Sequence, residues 1–302
     1  MNRGMMTSPS LSLLLGCIVL LLLGGCAARN VPAGDVNTAQ ARATVPALSV
    51  MPVSPVPSLP AEATAIWQPA LRTSWQWQLG GLPIDQTVDA QMYDIDLFDN
   101  DASIVAALHA QGHRVVCYIN VGAWEEWRPD ADAFPSEVIG RDYAGQPGEK
   151  WLDIRRLDLL GPIMRSRFDL CKAQGFDGIE PDNVDGYVND TGFPISPHDQ
   201  MAYNIWLSDE AHARGLSIGL KNNPEQVADL LPHFDWALAE ECFAQKWCDL
   251  LAPFVAAGKA VFVAEYTDTG ITTDAFCPQA NAMNFNAILK QRGLDAWRQP
   301  CR

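Results

Sequence analysis

From Trp75 onward, short apolar runs alternate with stretches in which apolar residues recur at helical spacing. The apolar runs predict eight strands, over Trp75–Leu79, Met92–Phe98, Arg114–Asn120, Asp177–Asp182, Leu216–Lys221, Asp235–Glu240, Ala260–Glu265 and Asn284–Leu289. Helices are predicted over Ala102–Gln111, Gly161–Gln174, Gln200–Arg214, Pro224–Leu231 and Leu250–Ala257. Eight strands alternating with helices in a domain of this length favour an α/β fold, a single (β/α)8 TIM-type barrel, over an open doubly wound sheet.

The beginning of the chain does not share this pattern. Arg3, an apolar run over residues 11–23 and the sequence Leu23-Gly24-Gly25-Cys26 together resemble the signal of a bacterial lipoprotein. The apolar run is short for a transmembrane span. We therefore expect residues 1–25 to be a signal peptide that is removed and Cys26 to become lipid-modified.

Residues 26–65 are rich in Pro, Ala, Val, Ser and Thr, which predicts an extended tether ahead of a barrel domain over residues 66–302. The expected protein is exported and lipid-anchored to a bacterial membrane, periplasmic or at the cell surface. In enteric-type bacteria, an aspartate directly after the lipid-modified cysteine is associated with retention in the inner membrane. This chain has Ala27 at that position. The outer membrane is therefore favoured.

Cysteine content fits an exported protein. Two of the 8 cysteines, Cys17 and Cys26, belong to the signal and the lipid site, and the remaining even number predicts disulfides in an oxidising compartment. Spacing suggests the pairs Cys242 with Cys248, Cys277 with Cys301, and Cys117 with Cys171. Six cysteines allow 15 connectivities, so this pairing is a hypothesis. No metal site is expected, since no CxxC spacing occurs and disulfides explain an even number of cysteines in an exported protein better than a metal site does.

The formal net charge of −15 excludes nucleic acid as a natural partner and suits a cationic one. A solubilising surface is the simpler interpretation of the charge alone.

The segment from Phe176 to Tyr187 is the most informative in the chain. It holds Asp177, Glu180, Asp182 and Asp185 within nine positions, among apolar residues and glycines. Buried carboxylates repel one another and lose solvation, so this pattern indicates a strand that delivers acids into a cleft. Calcium is a weaker interpretation of the same oxygens, because the ligand spacing and terminal Glu of an EF-hand loop are missing.

Glycoside hydrolysis needs two carboxyl groups, and in a barrel they come from the carboxyl ends of different strands. Asp182 ends the fourth predicted strand and Glu240 the sixth, after an apolar run that suits an acid catalyst. A Ser–His–Asp hydrolase is disfavoured because the five histidines fall mostly on predicted helices or their flanks, where surface residues are the simpler interpretation.

Polar and aromatic residues at the other strand ends and in the acidic segment are predicted to bind the substrate. They are Trp75, Trp77, Asp94, Asp96, Tyr118, Asn120, Glu180, Asn183, Asp185, Tyr187, Lys221, Asn222, Glu265 and Tyr266. Glu241 should point away from Glu240, since side chains alternate along a strand.

Several of these segments resemble glycoside hydrolase family 114, the endo-α-1,4-polygalactosaminidases. The matching segments are Trp75–Leu79, Tyr93–Asp96, Cys117–Gly122, Gly175–Tyr187, Leu220–Asn222 and Ala239–Phe243. The resemblance implies a TIM barrel that retains the anomeric configuration, with Asp182 as nucleophile and Glu240 as acid/base. The family commonly has Asn where this chain has Ala239, which removes a possible hydrogen bond beside Glu240. Glu180 remains a rival for the nucleophile.

The family resemblance also implies a substrate, a galactosaminogalactan-type polysaccharide whose free amines are cationic. Asp94, Asp96, Glu180 and Asp185 are the acids expected to contact those amines. No cofactor is implied, and we expect a monomer. Two alternatives stay open: a barrel that binds an envelope polysaccharide without cutting it, and a glycosidase acting on another sugar.

Overall fold

The computed structural model describes residues 65–302. The predicted signal peptide, Cys26 and nearly all of the predicted tether lie outside these residues. Within residues 65–302, no helix is both long enough and apolar enough to span a membrane.

Eight parallel strands form an α/β barrel-like sheet of the TIM type. They are β1 (Trp75–Gln78), β2 (Met92–Asp96), β3 (Arg114–Asn120), β7 (Gly178–Asp182), β8 (Ser217–Lys221), β9 (Trp236–Glu240), β10 (Val261–Tyr266) and β11 (Asn286–Lys290), adjacent in this order. Every predicted strand is present, with ends within two residues of the prediction. A ninth strand, β12 (Arg298–Pro300), pairs antiparallel with β11.

Helices cover the outside of this sheet. They are α1 (Ala102–Ala110), α2 (Leu157–Gln174), α3 (Pro197–Ala213), α4 (Val227–Leu230), α5 (Ala252–Ala256) and α6 (Thr273–Ala282). The sequence did not predict α6, which carries Pro278 and few apolar residues. A Ser196–Asp199 capping box fixes the start of α3 by satisfying free N–H groups of its first turn.

Side-chain alternation along the strands divides the core in two. Residues such as Trp77, Val116 and Phe262 point into the barrel, whereas their neighbours such as Cys117 and Val263 pack under the helices. The same parity turns Glu180, Asp182, Lys221 and other polar strand residues inward, which determines the site described below.

The ring is nearly closed. In the described part of the chain, β1 and β11 share no main-chain ladder, so β1 and β12 are the two ends of the sheet. Side chains span the gap: the Trp75 indole donates to the Asn286 carbonyl (2.8 Å), and the Arg298 guanidinium donates to the Trp75 carbonyl (2.9 Å).

A small antiparallel sheet lies between β3 and α2. It consists of β4 (Ala123–Glu125), β5 (Ile139–Asp142) and β6 (Glu149–Leu152) in the order β4-β6-β5. The sequence did not predict these strands, because they are short and carry charged residues without an apolar alternation. They bring Tyr143 and Glu149 toward the carboxyl ends of the barrel strands.

Three disulfides confirm the predicted pairing. Cys117 on β3 bonds to Cys171 on α2, Cys242 to Cys248 within the loop after β9, and Cys277 on α6 to Cys301 beyond β12. Cross-links of this kind stabilise a fold mainly by restricting the unfolded chain.

Candidate active site

A single buried lysine organises the carboxyl end of the barrel. Lys221 Nζ at the end of β8 lies 2.7 Å from Glu180 Oε1, 3.0 Å from Asp182 Oδ1 and 3.3 Å from Glu240 Oε2. Its side chain is 2% exposed, and the neighbouring carboxylates hold its pKa well above the usual value despite burial. Strands β7, β8 and β9 are adjacent, so Glu180 and Asp182 of β7 and Glu240 of β9 surround one cation.

Glu180 lies beneath the open surface. Its side chain is 0% exposed and accepts hydrogen bonds from the Trp77 indole (2.9 Å) and Lys221 (2.7 Å). Asp94 is buried beside it, and burial together with the Glu180 charge raises the pKa of Asp94 well above its usual range. Burial also raises the pKa of Glu180. A protonated Asp94 can then donate to Glu180, which limits the negative charge in the barrel interior.

Asp182 lies above Glu180 and opens to solvent, with 20% of its side chain exposed. It accepts hydrogen bonds from the Tyr118 hydroxyl (2.9 Å) and the Asn183 backbone N–H (2.9 Å). Asn183 has a left-handed backbone (φ 62°), and its carbonyl passes so close to Gly122 that a Cβ there would lie 1.7 Å from it. Gly122 is therefore required for the turn that aims this donor.

Glu240 shares Lys221 with Asp182 and is 28% exposed. Asn222 bridges the two strand ends, since its amide donates to Glu240 Oε2 (3.3 Å) and its carbonyl oxygen accepts from the Glu240 backbone N–H (2.9 Å). The Tyr266 hydroxyl donates to Glu240 Oε1. The Arg292 guanidinium stacks on the Tyr266 ring at 3.8 Å, which holds the ring in place.

These groups border an open cleft of about 510 Å³. Glu240 and Asp185 lie in its wall, together with Tyr143, Trp247 and Arg292, which the sequence did not predict. Those three come from loops between elements, where neither strand alternation nor strand-end position offered a signal. Glu241, which was expected to point away from Glu240, also lines the cleft, where it pairs with Arg292. The strand ends at Glu240 and Glu241 has a left-handed backbone (φ 57°), so strand alternation does not extend to it.

Two further acids near the cleft titrate close to neutrality. Burial, reinforced by the charge of Asp182, raises the pKa of Asp185 to about 6. Burial, with the charges of Glu125 and Asp182, raises the pKa of Glu149 to about 7. The sequence missed Glu149 because it lies on β6, a strand that was not predicted. Both groups make the negative charge around the cleft dependent on pH.

Some predicted substrate-binding residues lie elsewhere. Trp75 and Trp77 are each 1% exposed inside the barrel, so neither offers a face to a sugar. Asp96 is held by a bidentate contact with Arg128 (2.8 and 2.6 Å) and by two backbone N–H groups. Glu265 points out of the barrel, where the Phe243 and Ala244 N–H groups donate to it (2.8 and 3.3 Å). Direct substrate contact does not fit these four positions.

Two more predicted residues, Asn120 and Tyr187, form hydrogen bonds with protein groups near the site. Asn120 is buried; it donates to Glu149 Oε2 (3.4 Å) and accepts from the Ala123 N–H. The Tyr187 hydroxyl donates to Asn223 Oδ1 (3.1 Å). Cys242, Cys248 and Glu265 bring three possible metal-ligating atoms within 4.8 Å of one another, but the disulfide occupies both sulfurs.

The acidic segment is divided between the two ends of the barrel. Asp177 immediately precedes β7 and lies at its amino end, where it pairs with Arg114 (2.6 Å) and His109 (2.7 Å). Asp177 therefore lies apart from the acids of the cleft, because Asp177 and Asp182 are at opposite ends of β7.

Comparison with known proteins identifies the family of this chain. The sequence profile of glycoside-hydrolase family GH114 matches residues 56–302. The chain is similar to Ega3 of Aspergillus fumigatus, whose crystal structure is a complex with galactosamine. The two sequences are 39% identical, and the structures match with a TM-score of 0.75. The match covers 80% of this chain and 100% of the Ega3 chain.

The chain also shows two more distant similarities. The glycoside hydrolase domain of PelA from Pseudomonas aeruginosa is 12% identical with a TM-score of 0.59, covering 75% of this chain and 97% of that chain, which concerns the fold alone. An uncharacterized protein of Deinococcus radiodurans is 27% identical over 311 residues, 91% of this chain and 96% of the relative.

Proposed function

Because this chain belongs to glycoside-hydrolase family GH114, and is therefore a glycoside hydrolase, we propose that it cleaves α-1,4 linkages within a galactosamine-containing polysaccharide, endo-acting and with retention of anomeric configuration. The observation that carries the proposal is the grouping of Asp182 and Glu240 around Lys221 at the wall of an acidic cleft.

Asp182 is the nucleophile in this proposal. Its side chain is partly exposed, and its three donors, Tyr118, Lys221 and the Asn183 N–H, stabilise the ionised form that must attack the anomeric carbon. Glu180 is fully buried beneath it and already bound by Trp77 and Lys221, so the anomeric carbon cannot approach it. The geometry thus favours Asp182 over Glu180.

Glu240 is the acid/base. Of the three carboxyl groups around Lys221, it has the longest contact with the ammonium group and the most exposed side chain. Lys221 therefore stabilises its anion least, which suits a group that must carry a proton to the leaving oxygen. After the glycosyl–enzyme forms, the same group takes a proton from water.

Retention is supported by the spacing of the pair. Lys221 Nζ lies 3.0 Å from Asp182 Oδ1 and 3.3 Å from Glu240 Oε2, so these two oxygens are no farther apart than the sum of those distances. That limit is below the roughly 6.5 Å at which the carboxyl spacing of inverting enzymes begins.

The charge around the cleft supports an amino-sugar polymer. Asp182, Asp185, Glu225, Glu240 and Glu241 lie in or beside it, and Arg292 is the cation in its wall, already paired with Glu241. Ammonium groups of de-N-acetylated galactosamine would be attracted to such a surface, and added salt would screen the attraction.

The test is product formation by the full-length chain from de-N-acetylated α-1,4-linked galactosaminogalactan. We expect Asp182→Asn and Glu240→Gln to reduce turnover by about 10³-fold or more, while Asp177→Asn, on the other end of the same strand, continues to release oligomers. Proton NMR of the first-formed product should show the α-anomer.

Full activity of Asp182→Asn would refute the nucleophile assignment, and a first-formed β-anomer would refute retention. If the parent leaves this polymer intact but cuts another α-linked polysaccharide, the sugar assignment fails and the glycosidase remains.

We also propose that the chain is an exported monomer anchored through a lipid on Cys26, in the outer membrane. The lipobox-like sequence before Cys26 supports this, as do three disulfides that suit an oxidising compartment. Metabolic labelling with a fatty acid should mark the parent and not Cys26→Ala; equal labelling of both would contradict the proposal.

A further inference from the structure

Three arginines stand apart from the others in the part of the chain that the structure describes. Nine of the twelve arginines in residues 65–302 form a salt bridge with a carboxylate. The remaining three, Arg72, Arg298 and Arg302, all line one cavity of about 310 Å³. In a chain of net charge −15, three uncompensated cations in one place need an explanation.

This cavity, called the arginine cavity below, lies at the amino ends of β1 and β11, opposite the catalytic cleft. Its wall contains Ser74, Gln91 and Asn286 besides the arginines, and no acidic residue. The neutral side chains can donate or accept hydrogen bonds without adding charge.

Two of the guanidinium groups converge on one neutral atom. Arg72 Nε lies 3.1 Å and Arg302 Nη1 3.4 Å from the same Asn284 Oδ1. Like charges held so close repel each other, and burial together with the Arg72 charge lowers the pKa of Arg302. An anion between them would remove this repulsion.

The third arginine is fixed by the backbone. Arg298 donates to the carbonyls of Trp75 (2.9 Å) and Asp89 (2.6 Å). These contacts hold its side chain at the cavity wall and leave its charge uncompensated by any ion pair. The side chains of Asp89 and Tyr93 affect the pKa of Arg298 only through longer-range charge interactions.

We propose that the arginine cavity binds a phosphate monoester, with Arg72 and Arg302 as the principal ligands and Arg298 as the fixed third cation. Guanidinium groups match the oxygens of phosphate in paired hydrogen bonds, and a dianion matches their excess charge better than a carboxylate does. The cavity is larger than a phosphate ion, so a small organic group on the ester fits as well. The source is either a soluble phosphate ester or the headgroup of a phospholipid.

The experiment is calorimetric titration of the full-length chain with glycerol 3-phosphate and with inorganic phosphate at low ionic strength. We expect saturable binding that weakens with added salt, a loss of affinity of at least about tenfold in Arg72→Gln, and no detectable binding in the Arg72→Gln/Arg302→Gln double variant. Arg156→Gln, an exposed arginine paired with Asp158 and Glu137, is the matched control and should bind like the parent.

Stability measurements distinguish a ligand site from a structural role. In phosphate-free buffer Arg72→Gln should unfold at the parent temperature or above it, because the substitution removes like-charge repulsion. Glycerol 3-phosphate should raise the unfolding temperature of the parent and not that of the double variant.

Vesicles identify the source. Arginine-dependent binding to phosphatidylglycerol vesicles, in excess of binding to phosphatidylcholine, supports a lipid headgroup; binding of the soluble ester alone supports a soluble ligand. The proposal is overturned if no phosphate compound binds saturably, if Arg156→Gln loses as much affinity as Arg72→Gln, or if Arg72→Gln destabilises the phosphate-free protein.

Discussion

The two ends of strand β7 carry aspartates with opposite roles. Asp177, at the amino end, accepts hydrogen bonds from Arg114, His109 and the Val115 N–H, so each of its contacts ties neighbouring elements together. Asp182, at the carboxyl end, shares its one cation with Glu180 and Glu240 and opens to a cleft. At one end an arginine and a histidine contact one carboxylate, and at the other end one lysine contacts three.

This ratio of charges separates a structural site from a reactive one. A carboxylate with surplus donors is stable and gains nothing from a ligand. Carboxylates that compete for one ammonium group are left with unsatisfied negative charge, which a cationic substrate or a proton can neutralise. The following variants test that comparison.

Lys221→Met should have the largest effect, because it removes the one cation from three carboxylates. We expect the free energy of unfolding to fall by about 3–5 kcal/mol. The variant should also lose hydrolytic activity. The loss should be smaller at pH 5 than at pH 8, since protonation relieves the repulsion. Thermal or urea unfolding at both pH values measures this, with the exposed Lys172→Met as control; equal losses for both variants would contradict the comparison.

Asp177→Asn should cost stability without abolishing catalysis. Removing the charge that Arg114 and His109 share is expected to lower the free energy of unfolding by about 1–3 kcal/mol. Urea denaturation gives the value, and Asp169→Asn, an exposed aspartate paired with Arg214, should change it far less. A loss of activity in folded Asp177→Asn would show that the two ends are not separate.

Tyr266→Phe removes one donor from Glu240 and keeps the ring on which Arg292 stacks. We expect kcat to fall about tenfold with little change in KM, because the hydroxyl positions the acid/base and does not hold the polymer. Tyr93→Phe, which removes a hydroxyl that donates to the Val88 carbonyl and has no part in the site, is the control. An unchanged pH–rate profile together with an unchanged kcat would exclude the positioning role.

The smallest effect concerns pH. Burial raises the pKa of Glu265 from 4.5 to about 7, so between these values the folded chain holds a proton that the unfolded chain has released. The contribution of this group to the free energy of unfolding therefore falls as pH rises through that range. Unfolding measured from pH 4.5 to pH 7.5 should show a shallower decline for Glu265→Gln, while the exposed Glu137→Gln keeps the parental slope.

The eight barrel strands could be predicted from sequence because each is an apolar run bounded by polar residues. The sheet of β4, β5 and β6 could not, since its strands are short and charged. The orientation of Glu265 was available in principle: Glu265 and Tyr266 are adjacent on one strand, so only one of them can point inward. The ion pair of Asp96 could not be predicted from the sequence, because its partner Arg128 lies in a loop 32 residues later in the chain. The Lys221 cluster depends on β7, β8 and β9 being neighbours in the sheet, a pairing between segments that lie far apart in the sequence.

The joint between β1 and β11 has a consequence for how the chain can vary. Elsewhere in the ring, neighbouring strands are joined by main-chain hydrogen bonds, and shifting their register by one residue would turn the inward side chains of a strand outward. Here an indole and a guanidinium reach across the gap, and a side chain tolerates a shift that a ladder does not. The alignment of β1 with β11 is therefore set by side chains, while the ladders of β1 with β2 and of β11 with β10 fix each of these strands against its other neighbour. A small shift between β1 and β11 leaves the register of β7, β8 and β9 intact.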